Sequence, residues 1–201
     1  MGRMPGQVPA KPKRERAVDE VELHRLMVAY QRGDIAAADR LARLLVPLLF
    51  GYLSGSGLNR GETEDLVQEC WLRIHRSRHT YRSAEPVLPW IFAIARHTGL
   101  DGYRRRRRVE SREIAMERLP DVPGAVEPAV DGFPEEIARC LRQLPPSQRE
   151  VILMLKVSGM SLEEVARATS SSVGSVKQKA HRAYGKLRRL LVAEKETGTC
   201  R

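Results

Sequence analysis

Apolar residues recur three and four positions apart along nearly the whole of this chain, and no stretch alternates apolar and polar residues as a half-buried strand does. That rhythm predicts an all-helical protein, and its interruptions divide it. Asp19 and Glu22 stand where they can cap a first helix carrying Val21, Leu23, Leu26 and Met27. QRGD (31–34) reads as a break, with Asp34 capping a second helix through Leu41, Leu44, Leu45 and Leu48. Pro47 is expected to kink or interrupt that helix, because proline lacks the amide proton the helix needs. SGSGLNRGE (54–62) reads as a loop. A third helix is predicted over 63–76, with acids in its first turn and Leu66, Val67, Cys70, Trp71 and Ile74 on one side. After a loop from His79 to Leu88, Pro89 marks a helix start, and Ile91, Ile94, Ala95 and Thr98 form its inner stripe.

Between Val109 and Pro134 the composition shifts. Pro120, Pro123, Pro128 and Pro134 break any long helix, and Glu110, Glu113, Glu117, Asp121, Glu127 and Asp131 outweigh Arg112 and Arg118. At roughly twenty-five residues this is too long for an ordinary connection. It predicts an acidic flexible linker (109–134) joining a helical domain at 19–108 to a second at 135–192, with a flexible basic tail at 1–18 and a C-terminal tail at 193–201. In the second domain Ser147 with Glu150 and Ser161 with Glu164 both have the form of a capping box. Pro145 and Pro146 suit a helix approach, and Gly159 suits a stop.

The charge balance says what such a chain meets. Lys and Arg number 35 against 25 Asp and Glu, a net charge of +10, which points to a polyanion, nucleic acid first. Hydrophobic residues make up 42%, which excludes a wholly disordered chain. Cys70, Cys140 and Cys200 are too few and too scattered for a disulfide framework. The N-terminal segment has no apolar run behind a cleavage site, and the apolar stretch 41–53 carries Arg43 and Pro47 and is too short to span a bilayer. A soluble, cytoplasmic protein with no direct membrane insertion is expected.

Two segments concentrate the charge. In SLEEVARATSSSVGSVKQKAHRAYGKLRRLL (161–191) a short capped helix, a polar turn and a longer helix have helix-turn-helix spacing. Val173, Val176, Ala180, Ala183, Leu187 and Leu190 make the buried stripe of the second helix. Lys177, Lys179, Arg182, Lys186, Arg188 and Arg189 give it a face with no acid, and Gln178 could bind adenine. The other segment, WIFAIARHTGLDGYRRRRR (90–108), ends in five arginines near Tyr81, Trp90, Phe92 and Tyr103. Basic residues interleaved with aromatics suit the holding of unstacked bases. Trp90 fits a core position better than a stacking platform, which makes Tyr81, next to Arg82 in a polar loop, the better candidate for touching a base.

TEDLVQECWLRIHR, PWIFAIARHTGLDGYRRRRR and LPPSQREVILMLKVSGMSLEEVARATSSSVGSVKQKAHRAYGKLRRLL together resemble the extracytoplasmic-function (ECF, group 4) sigma factors of bacterial RNA polymerase. The resemblance covers about 19–108 and 135–191, in the family's order. It implies an all-α fold of two small helical domains, a sigma region 2-like domain and a region 4-like helix-turn-helix, joined by a flexible linker. Asp65, Gln68, Glu69 and Arg73 would dock on the coiled coil of the largest subunit of core RNA polymerase. The loop 81–87 and the helix after it, with Tyr81, Arg82, Trp90, Arg96, His97, Arg104, Arg105 and Arg106, would open the −10 element of promoter DNA and hold its strands. Ser175, Lys177, Gln178, Lys179, His181 and Arg182 would face the −35 element, and an anti-sigma factor would be a further partner. Ser170 stands where the family's turn has glycine, Ala180 replaces a larger apolar residue, and Gly99 and Gly102 occupy positions where helix formers are expected.

Other classes fit less well. Cys70, His75 and His79 lie close in sequence, but no second ligand cluster accompanies them, so no metal is expected. A serine recombinase would need an α/β catalytic domain, and no phosphate-cradling glycine loop is present, so no enzyme activity, cofactor or small-molecule substrate is predicted. The remaining alternative is a helix-turn-helix regulator that acts without joining core polymerase.

Overall fold

The computed structural model describes residues 18–55, 58–116 and 134–198, and among these every regular element is helical. The elements are α1 (Glu20–Gln31), α2 (Ile35–Ser54), α3 (Arg60–Ser77), a 3-10 turn (Arg78–Thr80), α4 (Val87–Met116), α5 (Glu135–Arg142), α6 (Pro146–Lys156), α7 (Leu162–Ala168) and α8 (Val173–Gly198). No helix among the described residues is long and apolar enough to cross a membrane.

Local chemistry sets the boundaries. Asp19 caps α1 by accepting from the amide of Val21 at 3.1 Å, and Asp34 caps α2 by accepting from that of Ala37 at 3.0 Å. Glu22 pairs with Arg40 of α2 at 2.8 Å, and of the apolar residues the helix carries Val21 is 74% exposed while Leu23, Leu26 and Met27 are buried. Helix α2 runs through Pro47 without interruption, because Pro47 and Arg43 one turn earlier are on the solvent side, where water can satisfy the carbonyl that loses its amide. Helix α3 begins at Arg60, three residues before the expected start, since Asn59 and Glu62 form a reciprocal capping box at 2.9 Å in each direction.

Three boundaries are corrected further along. Helix α4 continues past the arginines to Met116, so the first eight residues of the expected linker, 109–116, are helical; the rest of it through Phe133 lies outside the described residues. So do residues 1–17 of the basic tail, and Cys200. Helix α8 runs to Gly198, through most of the expected C-terminal tail. Ser147 does not cap α6: the prolines start it two residues earlier, with Pro145 at the cap and Pro146 in the first position. The Ser161–Glu164 box does form, and Gly159 adopts φ +65°, the left-handed turn that separates α6 from α7.

The first four helices pack in sequence, α1 on α2, α2 on α3 and α3 on α4, while α5, α6 and α7 gather round α8. The two groups do not stand apart. Helix α4 lies against α7 and α2 against α6, so one continuous apolar core runs from Leu23 and Leu45 through Phe92 to Leu153 and Val176. At Gly55 an added Cβ would lie 2.3 Å from Leu153 Cδ1, and at Gly51 it would lie 2.8 Å from Val157 Cγ1. Gly51 lies in α2 and Gly55 one turn later at its C-cap, and their missing side chains let α6 approach.

Candidate nucleic-acid interface

The basic helix of the helix-turn-helix is positioned from both ends. Ser172 Oγ accepts from the amide of Ser175 at 3.2 Å, capping α8, and Val176, Ala180 and Ala183 seat it in the core. Lys177, Gln178, His181 and Arg182 are exposed along its outer face, with Ser175 and Lys179 half-buried beside them. Lys186 reaches across to α5: its ammonium donates to the carbonyl of Gln143 at 2.5 Å, binding α8 to the end of α5. The turn keeps a left-handed residue although it lacks glycine, with Ser170 at φ +49°. The exposed groups are therefore all donors or amphoteric groups, a surface that can take phosphates and base edges.

Helices α3 and α4 carry the other candidate residues, and they are joined by ion pairs. Arg73 bonds Asp101 at 2.8 Å and Glu69 at 2.6 Å, Arg105 reaches Glu69 at 3.1 Å, and Arg106 reaches Glu62 at 3.4 Å. Burial pushes the Glu69 carboxyl up, but the hydrogen bonds from Arg73 and Arg105 outweigh it and hold the group below its ordinary range. The bond to Asp101 likewise strengthens the Arg73 guanidinium against the smaller opposing effect of burial. Asp65 and Gln68 are exposed on the same helix. Arg104 is exposed 3.9 Å from Asp101, and His97 is exposed with its Nδ1 donating to the Ala93 carbonyl at 2.7 Å.

Three of the candidate residues need separate treatment. Tyr81, read from its polar surroundings as a base contact, is 4% exposed, with its ring against Trp90 and His24. It belongs to the core, and burial, with the nearby Glu20 and Glu85 charges, pushes its phenol up to about 12. Trp90 is half-buried against the same core, and Arg82, next to Tyr81 in sequence, is exposed. Arg96 faces the second half of the molecule, its Nε 2.9 Å from Glu150 Oε1. That contact is an ion pair without the alignment of a hydrogen bond, so the Nε proton has no acceptor in line. The Tyr52 hydroxyl donates to the same carboxylate oxygen at 3.1 Å.

Of the residues weighed as metal ligands, Cys70 and His75 have other partners and His79 is exposed. Cys70 is buried, which pushes its thiol up to about 12, and His75 shares a 2.6 Å hydrogen bond with the Tyr30 hydroxyl. Among the described residues no three His, Cys, Asp or Glu side chains converge as a metal site would require.

Known proteins resemble this chain in sequence and in fold. Sigma-70 region 2 matches residues 40–109 and Sigma-70, region 4 matches residues 135–187. The ECF RNA polymerase sigma factor SigF of Caulobacter vibrioides is 35% identical over 82% of this chain and 90% of its own length. The RNA polymerase sigma factor CarQ of Myxococcus xanthus is 30% identical over 82% of this chain and 95% of its own. Among solved structures, that of the sigma factor RpoE in complex with the anti-sigma factor NepR from Bartonella quintana aligns with a TM-score of 0.62 and 25% identity, over 76% of this chain and 95% of that one. Two region matches in family order, full-length relatives and a shared helical architecture place the chain: it belongs to the ECF sigma factors of the sigma-70 family.

Proposed function

We propose that this sigma factor joins core RNA polymerase through α3, around the exposed Asp65 and Gln68 and the half-buried Glu69 and Arg73, and directs it to promoters by two separate DNA contacts. The outer face of α8, with Ser175, Lys177, Gln178, Lys179, His181 and Arg182, takes the −35 element in the major groove. The segment 82–86 and α4, through Trp90, Arg96, His97, Arg104, Arg105 and Arg106, take the −10 element and hold its separated strands, with Arg96 first leaving its pairing with Glu150. Tyr81 supports that segment from beneath and does not touch a base. The single observation that carries this reading is the arginine run on α4 lying directly against the acidic face of α3, which puts a strand-holding surface next to a docking surface. An anti-sigma factor, such as the one bound to the similar RpoE, is the proposed regulator.

The test is transcription from genomic DNA by core polymerase with and without the full chain, with start sites mapped. Specific starts are expected only with the chain present. Changing Asp65 and Gln68 to alanine together is expected to lower specific starts at least about tenfold, the effect of losing on the order of 1.4 kcal/mol of docking energy. Specific duplex binding with no polymerase-dependent starts would instead favour a helix-turn-helix regulator acting alone.

A further inference from the structure

The chain between α3 and α4 is held by one face of α1. Glu20, His24 and Gln31 are spaced so that all three fall on the same side of that helix. Gln31 Nε2 donates to the carbonyls of Arg78 at 2.7 Å and Tyr81 at 2.8 Å. The Tyr81 hydroxyl donates its one proton to the Glu85 carbonyl at 2.6 Å. The 3.0 Å contact between His24 Nδ1 and that hydroxyl must then have histidine as the donor, which fixes the proton on Nδ1. Glu20 accepts from the amide of Val87, the first residue of α4.

The backbone from Arg78 to Val87 is thus fastened at its start, through the Tyr81 ring and at its end, while Arg82, Ser83, Ala84 and Glu85 are exposed. A segment meant only to connect two helices needs no such bracing, since exposed backbone is satisfied by water. Fixing an exposed tip in advance removes the ordering cost from the binding step and allows close substrates to be told apart.

We infer that α1 governs which bases the segment 82–86 accepts from the separated promoter strand, with Glu20, His24 and Gln31 as positioning residues that do not themselves touch DNA. The inference rests on the proposed role of that segment at the −10 element.

The test uses holoenzyme assembled from the full chain and core polymerase. The probe is a pool of fork-junction DNA with a short randomised single-stranded segment, and the captured molecules are sequenced. Four variants are compared. His24→Asn retains a donor near the Nδ1 position, whereas His24→Leu removes it. Gln31→Glu keeps the shape and loses both donated protons at neutral pH, and Gln31→Ala removes the side chain. The wild type and His24→Asn are expected to share one base preference. The other three are expected to lose about tenfold in the ratio of preferred to disfavoured base, the discrimination one well-placed base contact supplies, with polymerase assembly unchanged. An unaltered ratio in His24→Leu and Gln31→Glu would overturn the inference. So would a uniform fall in capture at constant ratio, because that is what lost stability alone produces. A wild-type holoenzyme with no base preference in that segment would overturn the proposed −10 role along with it.

Discussion

Ser170 holds a left-handed backbone, φ +49°, where a side chain is unfavourable. The turn requires it: the Ser170 amide reaches the Arg167 carbonyl at 3.2 Å and the Ser171 amide reaches that of Ala166 at 2.9 Å, closing α7 before α8 departs. The left-handed form costs an ordinary residue roughly 1–2 kcal/mol, and glycine returns part of that saving through its freer unfolded chain. Ser170→Gly is therefore expected to raise stability by up to about 1 kcal/mol, read from the midpoint of urea unfolding, with α8 unmoved. Ser170 stands out in the sequence only through the family resemblance, which has glycine at this position of the turn. Tyr81 shows the converse. Its neighbours are polar, but its environment is made by His24, 57 residues earlier, and by Trp90, and no local pattern carries that information.

At the scale of elements, the pairing of α3 with α4 explains a cost that the sequence displays without its cause. Gly102 lowers the helix propensity of α4 by about 1 kcal/mol relative to alanine. A Cβ there would lie 2.7 Å from Leu66 Cδ2, so the glycine permits the close approach that brings Arg73 to Asp101 and Arg105 to Glu69. Helix positions, inner stripes and the helix-turn-helix were legible because they depend on spacing within one segment. The ion pairs, the α1 brace and the Glu150 contact were not, because they depend on which helices meet. The Asn59–Glu62 box was legible by the same rule that identified Ser161–Glu164, and α3 begins where that rule places it. Since Glu69 is held below its ordinary value of 4.5, its contribution is fully present above that pH and is lost as pH falls through the lowered folded value. Glu69→Gln is expected to lose less stability than the wild type when urea midpoints at neutral pH and near pH 3 are compared. The difference should be modest, because partly exposed pairs contribute at most about 1 kcal/mol.

For the molecule as a whole, the decisive contact is the one that makes two helical groups a single body. Gly51 and Gly55 let α6 seat Val157 and Leu153 on α2, and the Arg149 guanidinium reaches the Gly55 carbonyl at 3.5 Å. The Arg96–Glu150 pair lies at the edge of that seam and Arg167 stands 3.6 Å from Glu85, so closure engages one residue of the proposed −10 face and one of the braced tip. Gly55→Val tests whether closure is separable from folding. Gly55 has φ −62°, so valine brings no left-handed strain, but its side chain has no room beside Leu153. Overpacking of this kind costs about 1–3 kcal/mol. That penalty falls on the seam and leaves contacts within each helical group intact, so the halves are expected to part. X-ray scattering should show a larger radius of gyration while far-ultraviolet circular dichroism stays constant. With Glu150 withdrawn, Arg96 regains a free guanidinium, and the isolated chain should bind single-stranded DNA more tightly and with a steeper dependence on salt. An unchanged radius with a lower unfolding midpoint would mean that Leu153 repacks around the valine and that the two groups hold together without the glycine.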